Sequence, residues 1–199
     1  MKMHKTVENK DKKKVTALNG AVLYSKLLQI ASGAAYADPS NDESEYAILD
    51  RDRYELIGDF IEAREHSVCF FSWRHQRDLL IEMAKKREIK FEVIDGSVSQ
   101  RERTRIIAEY QAGKYQTLFA NSTIAHGVTL TRGKRTIFAS PTPNLEHFLQ
   151  SYKRIYRVSQ TEKTETVMVL ATGTIDEYVW EQCQKKDARQ SDLLAYVET

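Results

Sequence analysis

The chain has 199 residues, 41% of them hydrophobic and 29% charged, with a formal net charge of +2. That length allows one domain with extensions, or a domain with a small appendage, and it suffices for a real core. The balance is that of a soluble globular chain: no apolar run reaches the length of a membrane span, no apolar core follows the basic N-terminus as a signal peptide requires, and any nucleic-acid contact must come from local basic clusters rather than bulk charge.

Residues 1–14 are polar and lysine-rich without periodicity, and are expected to be disordered in part. Gly20 to Ile30 places Val22, Leu23, Leu27, Leu28 and Ile30 as a short amphipathic helix. Residues 38–45 form an acidic turn without core residues, taken as the boundary between an N-terminal appendage (1–45) and the main fold (46–184). Asp50 to Arg64 is a helix with Tyr54, Ile57 and Ile61 on one face. A regular alternation follows. Val68 to Ser72 is a continuous apolar run suited to a strand buried on both faces. His75 to Arg87 is a helix, Phe91 to Ile94 a strand, Asp95-Gly96 a turn, and Ser99 to Tyr110 a helix whose Ser99 and Glu102 have capping-box spacing. Gln116 to Ala120, Arg135 to Ala139 and Thr166 to Leu170 read as strands. Thr174 and Glu177 repeat the capping-box spacing before a helix from Ile175 to Gln184, and residues 185–199 form a charged tail with a possible short docking helix. Strands alternating with helices of this length predict an α/β fold in three layers around a mainly parallel sheet. The two cysteines, Cys69 and Cys183, match no disulfide or zinc spacing, and Cys69 reads as a core residue of a reducing compartment, the cytoplasm.

Open parallel sheets bind ligands at the carboxyl ends of their strands. The loops to inspect are therefore those after Ser72, Ile94, Ala120 and Ala139. The first carries Ser72-Trp73-Arg74 at a helix N-terminus, either a phosphate site with an indole for base stacking or an N-cap serine beside a packed tryptophan. The second carries Gly96, with Arg101, Arg103 and Arg105 in the following helix, either phosphate-neutralising or a solvated helix face. The third, from Asn121 to Thr131, is polar, with Ser122, Thr123, Gly127 and Thr129.

The fourth loop leads into the most informative stretch, Asn144 to Gln160. On a helix, Leu145, Phe148, Leu149, Tyr152 and Tyr156 form one stripe, with Gln150, Arg154 and Arg157 roughly opposite. Two guanidiniums three residues apart repel unless an anion lies between them, and their forks suit phosphate oxygens; a solvated basic face is the alternative. The strand, the turn Pro141-Thr142-Pro143, and the pattern Gln150-x-x-x-Arg154-x-x-Arg157-x-x-Gln160 resemble the last helicase motif of the Swi/Snf-like branch of superfamily-two helicases. The chain departs from that family at Tyr156, where His is usual, and at Ser159, where Gly is usual. The runs from Lys26 to Tyr36, from Val68 to Ser72, the Asp95-Gly96-Ser97 turn with Arg103 and Tyr110, and the loop from Asn121 to Thr131 are similar to further motifs of the same lobe.

The resemblance implies a RecA-like fold, the second helicase lobe, and a DNA-dependent motor. It implies Arg154 and Arg157 as arginine fingers, and Gly127, Thr129, Gln150, Arg154 and Arg157 facing ATP with Mg²⁺. It implies Ser72, Trp73, Arg74, Gly96, Arg103, Ser122 and Thr123 facing the nucleic-acid backbone. The sequence contains no phosphate-cradling G-x-x-x-x-G-K-[ST] loop and no Asp-Glu pair after a strand. The expected partners are therefore double-stranded DNA and an N-terminal RecA-like lobe encoded upstream of Met1, which holds the Mg²⁺; the isolated chain is expected to be inactive. Lacking large insertions, it resembles a phage or bacterial member more than a chromatin remodeller. The rival reading is a nucleic-acid-binding module that acts without ATP.

Overall fold

The computed structural model describes residues 5–8, 14–17, 20–36, 45–122, 130–142, 144, 148–149 and 163–197, with side chains described between residues 20 and 187. The N-terminal part contributes a hairpin of β1 (Lys5–Glu8) and β2 (Lys14–Ala17), helix α1 (Gly20–Ala31), and a second hairpin of β3 (Ala34–Tyr36) and β4 (Tyr46–Ile48). Helix α2 (Asp52–Ala63) leads into β5 (Ser67–Phe71), α3 (Arg74–Lys86), β6 (Phe91–Ile94), α4 (Gln100–Gln111) and β7 (Thr117–Asn121). Strands β8 (Arg135–Phe138) and β9 (Glu165–Met168) and helix α5 (Ile175–Val197) complete the described elements. Among them, no helix is long and apolar enough to cross a membrane.

The core sheet has the order β6-β7-β5-β8-β9, and every neighbouring pair is parallel. Its register is level: Phe91, Thr117, Ser67, Arg135 and Glu165 stand in one row at the strand starts. The carboxyl ends therefore emerge together along one edge. Strand β5 lies in the middle because its five residues are buried on both faces. Alternation sends Cys69 and Phe71 to one side, against Tyr54, Ile57 and Ile61 of α2 and Leu79, Leu80 and Met83 of α3. Val68 and Phe70 go to the other side, against Ile106 and Tyr110 of α4. These are the three layers expected from the alternation of elements.

Several local readings differ. The lysine-rich N-terminus holds the β1–β2 pairing, because Thr6, Val7, Val15 and Thr16 are strand formers between the charges. Helix α5 does not stop at Gln184 but runs to Val197, since neither Gly nor Pro interrupts it. Thr174 caps that helix by accepting from the Asp176 amide rather than that of Glu177, while its own hydroxyl donates to the Ala171 carbonyl. Strand β9 is Glu165–Met168, two residues short of the expected end. Ser99 caps α4, its Oγ accepting from the Glu102 amide, which is one half of the expected capping box.

The acidic loop taken as a domain boundary joins two paired strands, β3 and β4, and this hairpin rests on the start of α3. Gly33 makes the entry to it possible. Its φ is +95°, and a Cβ there would stand 2.7 Å from the Asp50 carbonyl oxygen. Beneath the hairpin lies His75, fully buried, with the rings of Tyr36 and Tyr46 at 5.6 and 5.9 Å. The Ser32 hydroxyl donates to the Gln29 carbonyl, so His75 Nε2 is the donor in its 2.8 Å bond to Ser32 Oγ. Nδ1 is then a bare acceptor without a partner.

Burial pushes the His75 imidazole down to about 4, from the usual 6.5. Because the unfolded chain takes up this proton first, the contribution of neutral His75 is intact above pH 6.5 and is lost as pH falls towards about 4. Across that window it amounts to about 3 kcal/mol. We expect urea unfolding of His75→Gln to show a shallower loss of stability between these pH values than the parent; parallel profiles would exclude His75 as the source.

Candidate functional site at the carboxyl edge of the sheet

Four strands deliver polar residues to one edge. Ser72 follows β5, Asp95 follows β6, Ser122 follows β7, and Ser140 lies just past β8. Neighbouring strands β5 and β7 bring Ser72 Oγ and Ser122 Oγ to 3.5 Å of each other. Ser72 is exposed and Ser122 buried, so the pair forms a small polar floor open on one side.

Gln76 fixes this floor. It is fully buried, and its Oε1 accepts from the backbone amides of Ser72 at 2.8 Å and Trp73 at 3.1 Å. Its Nε2 donates to Ser140 Oγ at 2.8 Å, which joins the loops after β5 and β8. The sequence reading missed Gln76. The available signal was a Gln at the third position of α3, where it reaches back to the amides before the helix.

The turn after β6 is fixed by Asp95. Its carboxylate accepts from the hydroxyl of Ser97 at 2.6 Å, the Ser97 amide at 2.9 Å, and Arg77 at 2.8 Å. Burial alone would raise this carboxyl, but the Ser97 and Arg77 bonds outweigh it and hold it below the usual carboxylate range. Gly96, exposed, stands at the tip of the turn. Of the arginines in α4, Arg105 is drawn into ion pairs with Glu102 and Glu109 on its own helix. That is the solvated-face alternative. Arg103 differs: it is half-buried, and its Nε is shielded from water without a hydrogen-bond partner. At the start of α3, Trp73 is half-buried and Arg74 is exposed, held only loosely by Asp78 at 3.9 Å.

A second fixture holds the same edge from behind. Arg53, on α2, is buried and donates to the carbonyls of Ala139 and Val169, at the ends of β8 and β9, at 2.7 Å each. It also donates to the Ala31 carbonyl at the end of α1 and to the Asp176 carboxylate at the start of α5. One guanidinium thus ties two strand ends to two helix ends. Sequence reasoning passed over it, although Arg53 stands in the buried stripe with Ile57 and Ile61 at a spacing of four.

Of the residues assigned from the resemblance, Ser72 and Ser122 come together, and Trp73, Arg74, Gly96 and Arg103 lie in or after the loops of this edge. Thr123, Gly127, Thr129, Gln150, Arg154 and Arg157 lie outside the described residues. The segment that leads to the last three leaves the sheet here, through buried Ser140 and Pro141. Phe148 packs on Phe138 of β8 at 4.9 Å and on Trp180 of α5 at 5.3 Å, as the apolar stripe of that segment requires. Among the described residues, no three His, Cys, Asp or Glu side chains come together as metal ligands would.

A family model described as the helicase conserved C-terminal domain matches residues 52–159. The chain is 28% identical over 135 residues to the Xenopus laevis SWI/SNF-related matrix-associated actin-dependent regulator of chromatin subfamily A-like protein 1, covering 66% of this chain and 14% of that protein. It is 28% identical over 148 residues to human lymphoid-specific helicase, covering 73% of this chain and 17% of that protein. It is 31% identical over 127 residues to human DNA excision repair protein ERCC-6-like, covering 62% and 10%. The chain therefore spans less than a fifth of these relatives. Among solved structures, the C-terminal part of the Fun30 ATPase domain superposes with a TM-score of 0.61 at 17% identity, covering 66% of this chain and 44% of that one. The Pyrococcus furiosus Hef helicase domain superposes with a TM-score of 0.52 at 23% identity, covering 67% and 28%. At these identities the structural likeness shows the fold alone.

Proposed function

The chain belongs to the helicase conserved C-terminal domain family and has the RecA-like fold of a second helicase lobe, and from this we propose that it is the C-terminal motor lobe of an ATP-dependent DNA translocase of the Swi/Snf-like branch. ATP with Mg²⁺ sits between this lobe and an N-terminal lobe that supplies the phosphate-cradling loop and the magnesium carboxylates. Gly127, Thr129 and Gln150 face the nucleotide, and Arg154 and Arg157 reach its terminal phosphate. Ser72, Trp73, Arg74, Gly96, Arg103, Ser122 and Thr123 hold the backbone of one strand of duplex DNA. Opening and closing of the two lobes then steps the DNA along. The lack of large insertions in the sequence is what favours a phage or bacterial member.

The observation that carries this reading is the Ser72–Ser122 floor. Two hydroxyls from loops on neighbouring strands stand 3.5 Å apart at the carboxyl edge, braced by a buried glutamine. Side-chain hydroxyls are among the groups that grip a phosphodiester without reading bases. Arg103, half-buried in the helix that follows the Asp95 turn, adds a guanidinium to the same reading.

The chain alone should turn over no ATP. Joined to an N-terminal lobe that carries both missing motifs, it should hydrolyse ATP at a rate that rises with duplex DNA. Turnover by the isolated chain that is lost on Arg157→Ala would overturn the division of labour. DNA binding that falls with salt but is indifferent to ATP and to the added lobe would instead favour a module acting without ATP.

A further inference from the structure

The opposite end of the sheet carries a feature that the motor reading does not use. The residues that enter three adjacent strands, Lys90 before β6, Gln116 before β7 and His66 before β5, stand side by side at the amino edge. They border a concavity of about 490 Å³, completed by the turn at the end of α4 and by Arg132. That volume lies in the range of small-ligand sites. Its walls hold three permanent cations, Lys90, Lys114 and Arg132, against one carboxylate, Glu65.

Arg132 is held in place without being neutralised. Its Nε donates to His66 Nε2 at 3.1 Å, and its Nη1 donates to the Gln111 carbonyl at 3.2 Å. Both acceptors are uncharged. An arginine cannot accept a proton bond, so His66 Nε2 must be the bare nitrogen. The proton is then on Nδ1, which donates to the Tyr115 carbonyl at 3.2 Å. The imidazole is a neutral bracket with both nitrogens in use. Nη2 has no acceptor among the described residues and lies over Gly113, where a Cβ would stand 2.5 Å from it. Gly113 takes φ +85° as the stop of α4, so the same bare glycine ends the helix and leaves room for the guanidinium.

The other cations differ in how far they are engaged. The Lys114 ammonium is shared with Glu109 at 2.8 Å. The Lys90 ammonium is exposed and has no carboxylate within ion-pairing distance among the described residues. A guanidinium fork fixed by neutral partners, with an exposed ammonium lining the same concavity, has the donor set that a phosphate group takes.

We propose that this amino-edge concavity is a second anion site, binding a phosphate group through Arg132 and Lys90. It is separate from the nucleotide and DNA contacts of the carboxyl edge, and it does not depend on the motor reading. The phosphate comes either from a small phosphate ion or ester, or from a nucleic-acid backbone.

Inorganic phosphate titrated into the isotope-labelled chain at low ionic strength tests it by amide NMR. Saturable shifts are expected at Gly113, Lys114 and Lys90. Affinity should weaken at least tenfold in Arg132→Gln and in Lys90→Gln, and partly in Arg132→Lys, which keeps charge but loses the fork. Lys90→Gln alters an exposed side chain and guards against a folding defect in the Arg132 variants. A short duplex is titrated in parallel: shifts at the same amides, lost in the same variants, assign the phosphate to nucleic acid, and shifts with phosphate alone assign it to a small ligand. Absence of saturation with both probes, or shifts that persist unchanged in Arg132→Gln and Lys90→Gln, overturns the site.

Discussion

Replacing Arg157 by alanine in a protein that carries both lobes is expected to lower DNA-stimulated ATP turnover by about 10³–10⁵-fold, the range for arginines that act on a transferring phosphoryl group. The loss should fall on kcat. Charge builds on the equatorial oxygens of the terminal phosphate in the transition state, and a guanidinium brought there by lobe closure stabilises that state more than bound ATP. KM for ATP should therefore move little, and the affinity for duplex DNA should stay within a few fold. Arg157→Lys should recover little, because an ammonium presents no planar fork. Arg154→Ala should fall in the same direction. Steady-state turnover at saturating duplex, with a parallel binding assay, separates these outcomes. A kcat within tenfold of the parent would remove Arg157 from the chemistry.

That expectation comes from the resemblance of residues 150–160 to a helicase motif, since Arg157 lies outside the described residues, while much of the frame around it was legible beforehand. The apolar run from Val68 to Phe71 announced a strand covered on both faces, and β5 lies in the middle of the sheet. Tyr54, Ile57 and Ile61 repeat at helical spacing and meet the core as α2. What escaped was structure whose signal is weak over short lengths or absent from composition. The β1–β2 hairpin hides its alternating Thr and Val among lysines. The β3–β4 hairpin is built from alanines and tyrosines on either side of an acidic loop. The charged stretch after Gln184 looked like a tail, but its residues are good helix formers and nothing breaks the helix.

At the site the division has a physical cause. A loop hydroxyl at the end of an apolar strand is visible in one dimension, so the place of Ser72 and Ser122 at the carboxyl edge was legible. A buried polar residue is defined by partners far away in sequence, so Gln76 and Arg53 were not. By charge pattern Arg101, Arg103 and Arg105 are alike, and only the resemblance singled out Arg103. The fold adds that Arg105 is neutralised by Glu102 and Glu109, whereas Arg103 has a buried, unpartnered Nε.

Arg53→Ala should cost about 3–5 kcal/mol of folding stability, the usual result of removing one member of a buried ion pair. Asp176 is fully buried, and its Oδ2 depends on Arg53 and the Ala171 amide, while Oδ1 already lacks a partner. Without the guanidinium, that charge has nothing to balance it. The carbonyls of Ala139 and Val169 lose a donor as well, each a buried acceptor left unmade. Against a typical stability of about 5–15 kcal/mol, a loss of that size is a large fraction of the total.

A milder expectation holds when both partners are replaced. Arg53→Met combined with Asp176→Leu should recover much of the loss, because no buried charge remains, though the two strand-end carbonyls stay unsatisfied. Urea midpoints for the two single variants and the double variant give the coupling energy directly. A coupling near zero, or a cost below about 1 kcal/mol for Arg53→Ala, would mean that the edge is held by the apolar packing of α2 and α3 alone. Destabilisation as expected would instead make Arg53 the fastening that keeps the ends of β8 and β9 aligned, and with them the exit through Ser140 to the segment that carries Arg154 and Arg157.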